Sequence, residues 1–108
     1  MTISSMNSSR NDVVLLPIPF SDLTSRKVRP AVVVGRSGAD LFLVPISSQL
    51  HNTAVALQDW RAAGLNVPCG LKAQLATVEE RLVVKAVGTL SAHDQQTLDA
   101  RLRVWLRL

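Results

Sequence analysis

Residues 28–46, VRPAVVVGRSGADLFLVPI, read as a β-hairpin. Val28 to Gly35 is rich in β-branched side chains, and Leu41 to Ile46 is a second apolar run of strand length. Between them Ser37-Gly38-Ala39-Asp40 is a turn signal. Pro30 has no N–H to give to a ladder, so the first strand begins at an edge or where pairing begins. Upstream, Asp12 to Pro17 (DVVLLP) is a short buried strand, stopped by Pro17 and Pro19, and a polar loop follows from Ser21 to Lys27. Downstream, Thr53 to Leu57 is a short strand, and Asp59 to Gly64 is a helical turn with Asp59 at its start and Gly64 at its end. Gly70 to Val78 alternates, with Leu71, Ala73, Leu75 and Thr77 on one face and Lys72 and Gln74 on the other, the pattern of a half-buried strand. Leu82 to Val87 (LVVKAV) is a sixth strand.

The last stretch changes period. Ser91-Ala-His-Asp94 is a capping box, and Leu98, Leu102, Trp105 and Leu106 form one stripe of a helix. Arg101, Arg103 and Arg107 lie off that stripe and suit a helix C-terminus. Short strands followed by one amphipathic helix predict a mainly β fold: a small barrel of about six strands with a helix packed on it. With 108 residues and no internal repeat, one domain over 11–108 is expected, preceded by a flexible polar tail over 1–10.

Composition narrows the class. Cys69 is the single cysteine, which rules out an intrachain disulfide and a cysteine-based zinc cage and points to a reducing cytoplasmic setting. No apolar run is long enough for a membrane helix. The net charge of +4 favours anionic partners. Aromatic residues are 4% of the chain, so any reading of RNA must rest on charge and hydrogen bonds more than on stacking.

Several residues offer chemistry. Arg29 precedes Pro30, which biases its backbone to the extended region, so its guanidinium leaves from a fixed support. It can clamp a phosphodiester bidentately and stabilise charge building on phosphorus, or it can bridge to Asp22 or Asp12 on the barrel wall. Ser47 ends a strand at the lip of a loop; its hydroxyl can donate to a phosphate oxygen or form a turn. Acid–base chemistry at such a site needs a proton acceptor, and Asp22 and His51 are the candidates. Arg26, Lys27, Arg29 and Arg36 make the first half of the chain basic, suited either to an RNA backbone or to a solvated loop. His93 falls inside the helix cap and reads as structural. Trp60 and Trp105 can stack on bases, although Trp105 lies on the apolar stripe. The histidines do not form a helical metal pair and no acidic cluster is present, so a metal-free mechanism without cofactor is expected.

Four blocks then carry a likeness. Asp12 to Gly35 resembles the opening of the MazF/PemK toxins, with a hydrophobic strand, a polar loop, Arg-Pro and a second hydrophobic strand; the usual leading Gly is Asn11 here. Val44-Pro-Ile-Ser-Ser-Gln49 is similar to that family's Pro-Ile-Thr-Ser-Gln, with Ser47 in the threonine position. Asp59 to Leu65 (DWRAAGL) and Val87-Gly-Thr-Leu-Ser91 resemble further family segments in the same order. The resemblance implies an SH3-like barrel, a homodimer, and metal-independent cleavage of single-stranded mRNA at specific sequences, leaving a 2′,3′-cyclic phosphate and a 5′-hydroxyl. It implies Arg29 and Ser47 as catalytic, Arg26, Lys27, Ser48 and Gln49 as RNA-binding, and an acidic, partly disordered antitoxin as partner. One departure stands out: many relatives carry an arginine in the fifth strand where this chain has Ala76. Two other functions suit the same barrel: a CcdB-like gyrase poison acting through the C-terminal helix, and an RNA-binding module that does not cut.

Overall fold

The computed structural model describes residues 8–17 and 27–108. Seven strands and one long helix follow in the order β1 (Asp12–Pro17), β2 (Val28–Ser37), β3 (Asp40–Ser47), β4 (Val55–Ala56), β5 (Gly70–Leu71), β6 (Ala76–Glu79), β7 (Lys85–Thr89) and α1 (Ala92–Leu106). The sheet runs β4-β5-β3-β2-β1-β7, with β6 also on β3. All pairings are antiparallel. The expected hairpin is the longest ladder, with Ala31 opposite Pro45 and Ser37 opposite Asp40. Gly38 takes the left-handed turn position at φ 58°.

The central strands are buried on both faces, which is why they read as continuous apolar runs. On one face Val13, Val32, Val44 and Ile46 pack under α1 through Leu98 and Leu102, together with Leu57, Leu65 and Leu71. On the other, Val14, Leu16, Ala31, Val33, Leu41 and Leu43 close on Val83 and Val78. Trp105 packs against the first cluster, as its place on the apolar stripe predicts, and so does Trp60, with the Arg61 guanidinium 4.8 Å from its ring centroid.

Two elements differ from expectation. The predicted strand over 70–78 is split: β5 pairs with the far end of β3 at Ile46 and Ser47, and β6 pairs with its near end from Asp40 to Leu43. The break reverses the faces. Leu71 is buried, yet Ala73, Leu75 and Thr77 are exposed, while Ala76 and Val78 turn partly inward. A single alternating strand cannot follow β3 past the bend where the two pairings meet, so the pattern restarts. The sixth predicted strand likewise begins later, at Lys85, because residues 80–82 form a 3₁₀ turn.

The helix cap is half a capping box. The Ser91 hydroxyl oxygen accepts the Asp94 N–H at 3.2 Å, but the Asp94 carboxylate does not reach back. It is buried and accepts the backbone N–H groups of Gln58 and Asp59 at 2.9 and 2.8 Å. Ser91 also donates to the Asp59 carboxylate at 2.6 Å. The segment 59–64, one tight turn, is thus bolted to the start of α1. At the N-terminal end, the Ser8 N–H donates to Glu80 at 2.8 Å and Arg10 pairs with Asp99 at 2.7 Å. Among the described residues, no helix is long and apolar enough to cross a membrane.

Candidate functional site

A cleft of about 800 Å³ opens where the free ends of β2 and β3 meet the loop over 64–67 and the start of β7. The β2–β3 ladder ends at Ala31–Pro45; two residues beyond it on each strand, Arg29 and Ser47 both line the cleft, Ser47 pairing with Gly70 of β5. Arg29 is held on its other side by the β1 ladder, opposite Leu16. Its guanidinium has no hydrogen bond or ion pair among the described residues. The Asp12 carboxylate, one candidate for pairing with it, is instead taken by the Ser9 N–H and the Thr89 hydroxyl.

Ser47 does form a turn. Its Oγ accepts the Gln49 N–H at 3.0 Å, which fixes the exit from β3. The hydroxyl proton is a separate group and keeps its capacity to donate. Ser48 and Gln49 also line the cleft, and Gln49 Oε1 accepts from the Asn52 side chain at 2.9 Å. Lys27 precedes β2 and is exposed, outside the lining. Asp22 and Arg26 lie outside the described residues. His51 is exposed on the 3₁₀ turn Leu50–Asn52 and is not among the lining residues. Ala76 sits on β6 opposite Leu43, away from the cleft.

The opposite wall is built from backbone that tolerates no bulk. Gly64 has φ 87°, and a Cβ there would lie 2.2 Å from the Val87 carbonyl oxygen. Gly88 approaches the Ala63 carbonyl almost as closely, a Cβ meeting its oxygen at 2.5 Å. These contacts, with the Asp94 bolt, hold Leu65, Asn66 and Val67 over the cleft. Cys69 lines it from a buried position; burial pushes its thiol up, and its Sγ leans on the Val67 carbonyl at 3.3 Å. A raised thiol is a poor nucleophile at neutral pH.

Two cleft residues escaped the sequence reading. Lys72 follows β5, where its N–H donates to the Pro45 carbonyl at 2.9 Å, and Lys85 opens β7 opposite Leu15. A lone charge inside the apolar run LVVKAV was the available signal for Lys85. Lys72 was indistinguishable from any residue on a solvent face. Among the described residues, the lining therefore carries three cations, Arg29, Lys72 and Lys85, and no carboxylate, histidine or aromatic ring. Among the described residues, no three carboxylate, imidazole or thiol groups gather in one place.

Residues 9–106 match the model of the PemK-like, MazF-like toxins of type II toxin–antitoxin systems. The chain belongs to this family. Solved structures with the same fold include the Mycobacterium tuberculosis toxin MazF-mt6, with 16% identity over 90% of this chain and 97% of that one at a TM-score of 0.71. An endoribonuclease in complex with its cognate antitoxin, from a mycobacterial species, is 16% identical over 92% of each chain at a TM-score of 0.66. A further mycobacterial endoribonuclease gives 14% identity over 97% of each chain at 0.65. No curated protein sequence matches the chain.

Proposed function

We propose that this toxin is a metal-independent endoribonuclease that cuts single-stranded mRNA at specific sequences and thereby stops translation and growth. The observation that carries the reading is that Arg29 and Ser47, at the ends of adjacent strands, line one cleft whose described residues include three cations and no carboxylate. The family and the endoribonuclease neighbours support it. A 2′-hydroxyl attacks the adjacent phosphorus, losing its proton to a base. The P–O5′ bond breaks, leaving a 2′,3′-cyclic phosphate, and the departing 5′-oxygen takes up a proton. Arg29 offers a planar fork for the charge that gathers on the nonbridging oxygens, worth most where it exceeds ground-state binding. Ser47 donates to one of these oxygens from a backbone position its own turn has fixed. Ser48, Gln49, Arg26 and Lys27 contact the strand, and Asp22 and His51 are the candidates for the base.

The same reading includes a cytoplasmic homodimer and an acidic antitoxin. An apolar groove of about 320 Å³ runs along Val34, Phe42, Leu75, Leu106 and Leu108, and Leu75, Leu106 and Leu108 are exposed in the single chain, a surface that self-association would cover. A disordered acidic segment that orders on the basic cleft would compete with RNA for the same guanidinium.

The test is incubation of the pure protein with a long transcript in excess EDTA, with the new 5′ ends mapped. Cutting at a recurrent sequence, leaving 5′-hydroxyl ends, is expected. Loss of cutting on chelation, restored by Mg²⁺, would refute the metal-free mechanism, and intact RNA in both conditions would refute the endoribonuclease.

A further inference from the structure

The three cations of the cleft come from three separated places along the sheet. In the order β5-β3-β2-β1-β7, Lys72 stands at one side, just after β5, Arg29 lies in the middle on β2, and Lys85 stands at the other side on β7. Neighbouring strands are about 4.8 Å apart, so the backbone of each lysine stands roughly 10 Å from that of Arg29. Lys85 lies opposite Leu15 and Arg29 opposite Leu16, so their side chains start from opposite faces, and both line the cleft at the strand ends, where the two faces meet. Both lysines rise from paired backbone: Lys72 through its N–H to Pro45, and Lys85 through the ladder to Leu15. Among the described residues, neither ammonium has a hydrogen bond or ion pair and no carboxylate lines the cleft to neutralise them. A small compound with one charged group would use one end of this row. A row of cations spread across the strands fits a polyanion that also runs across the strands.

We propose that Lys72 and Lys85 bind the backbone phosphates on opposite sides of the cleaved linkage, so that the RNA runs along the open rim of the sheet, past the strand ends, with its reacting phosphate at Arg29. This rests on the reading of the cleft as an RNA site and adds the path of the strand and two residues that hold it. They are binding and positioning residues and take no part in the bond changes. Their attraction is present equally before and during the reaction, so it sets KM and not kcat.

The experiment uses the full chain and the RNA sequence that the wild-type protein cuts, with a 2′-deoxy nucleotide at the cut to prevent reaction. Binding is measured against KCl concentration for wild type, Lys72→Gln, Lys85→Gln, the two arginine replacements at these positions, and Arg81→Gln. Arg81 serves as the control because it is exposed and bridged to Glu79 outside the cleft. Each Lys→Gln change is expected to lower the slope of log K against log salt by about 0.7, the share of one single-strand phosphate. The Lys→Arg forms and Arg81→Gln are expected to keep the wild-type slope. On cleavable RNA, KM should rise at unchanged kcat. With strands carrying phosphates on only one side of the cut, each lysine should matter for one strand and not for the other, the two lysines answering to opposite sides. Unchanged slopes in both glutamine variants would overturn the proposal, as would an equal loss in Arg81→Gln, or both lysines answering to the same side. A wild-type protein that neither binds nor cuts RNA would remove the underlying reading itself, a result these variants cannot produce.

Discussion

β2 carries an arginine near each of its ends, and the two have opposite surroundings. At the turn end, Arg36 is paired with Glu80 and reaches the Ser8 carbonyl, while Glu80 also accepts the Ser8 N–H. At the open end, Arg29 meets no carboxylate among the described residues and faces a cleft. A guanidinium with a carboxylate beside it is a tether between parts of the chain. One left without a partner on a concave wall is available to an anion from outside. Both residues sit in the same strand among the same kinds of neighbour, so only the placement of Glu80, forty-odd residues away in sequence, tells them apart.

The sharpest way to break this contrast is to remove each arginine in turn. Arg29→Ala should lower the rate of RNA cutting by on the order of 10² to 10³, the usual cost of losing a transition-state donor. Its thermal midpoint should stay close to wild type, because an exposed side chain without a partner contributes little to stability. Arg29→Lys should restore little, since a point charge cannot reproduce the fork. Full growth arrest by a folded Arg29→Ala protein would take Arg29 out of the mechanism.

Ser47 gives a smaller effect, because it has a structural duty as well. Ser47→Thr should keep or raise activity, and Ser47→Ala should lower it by roughly tenfold, about the 1.4 kcal/mol of one hydrogen bond to a charged group. Ser48→Ala should matter less. Cleavage assays on the three variants decide it: if Ser48→Ala abolishes cutting while Ser47→Ala does not, the strand register at the cleft is off by one residue.

Much of this was legible in the residues. The hairpin, the buried β1 and the helix stripe follow from apolar runs and period, and the Arg-Pro and Pro-Ile-Ser-Ser-Gln blocks point to Arg29 and Ser47. What escaped depends on contacts between distant segments. The inversion of Leu75 and Val78 comes from β3 serving two short partners in succession, which no local alternation reveals. Asp94 looks like a capping residue, and only its burial shows that it bolts Gln58 and Asp59 to the helix. Lys72 and Lys85 lie thirteen positions apart in the chain and meet at one cleft only because β5 pairs with β3 and β7 with β1, on the two sides of the β3-β2-β1 sheet.

At the tether end, Arg36→Ala should leave RNA cutting within about twofold of wild type and lower stability by about 1 kcal/mol, a partly exposed ion pair strengthened by the shared Ser8 contacts. Chemical denaturation measures it. A large loss of cutting in a stable Arg36→Ala protein would erase the distinction between the two ends.

The finest test of the comparison is acid. Desolvation pushes the Glu80 carboxyl up, but the Ser8 N–H and the Arg36 guanidinium outweigh it and hold the group below its ordinary value. A carboxyl depressed in the folded state stabilises the fold above its unfolded pKa of about 4.3, and that contribution fades as pH falls through the lower folded value. Arg36 stays charged throughout, so the change belongs to Glu80. Glu80→Gln has no carboxyl to titrate at this position. The gap in thermal midpoint between wild type and Glu80→Gln should therefore be widest near neutral pH and close at pH values below about 4. Amide exchange adds a local readout. The Ser8 amide, which donates to Glu80, should lose protection as the carboxyl takes up its proton, whereas the Asn11 amide, which donates to the Val33 carbonyl at 2.7 Å, should not. A gap that widens on acidification, or Ser8 and Asn11 amides that open together, would mean that Glu80 is not what ties the N-terminal residues to the turn end of β2.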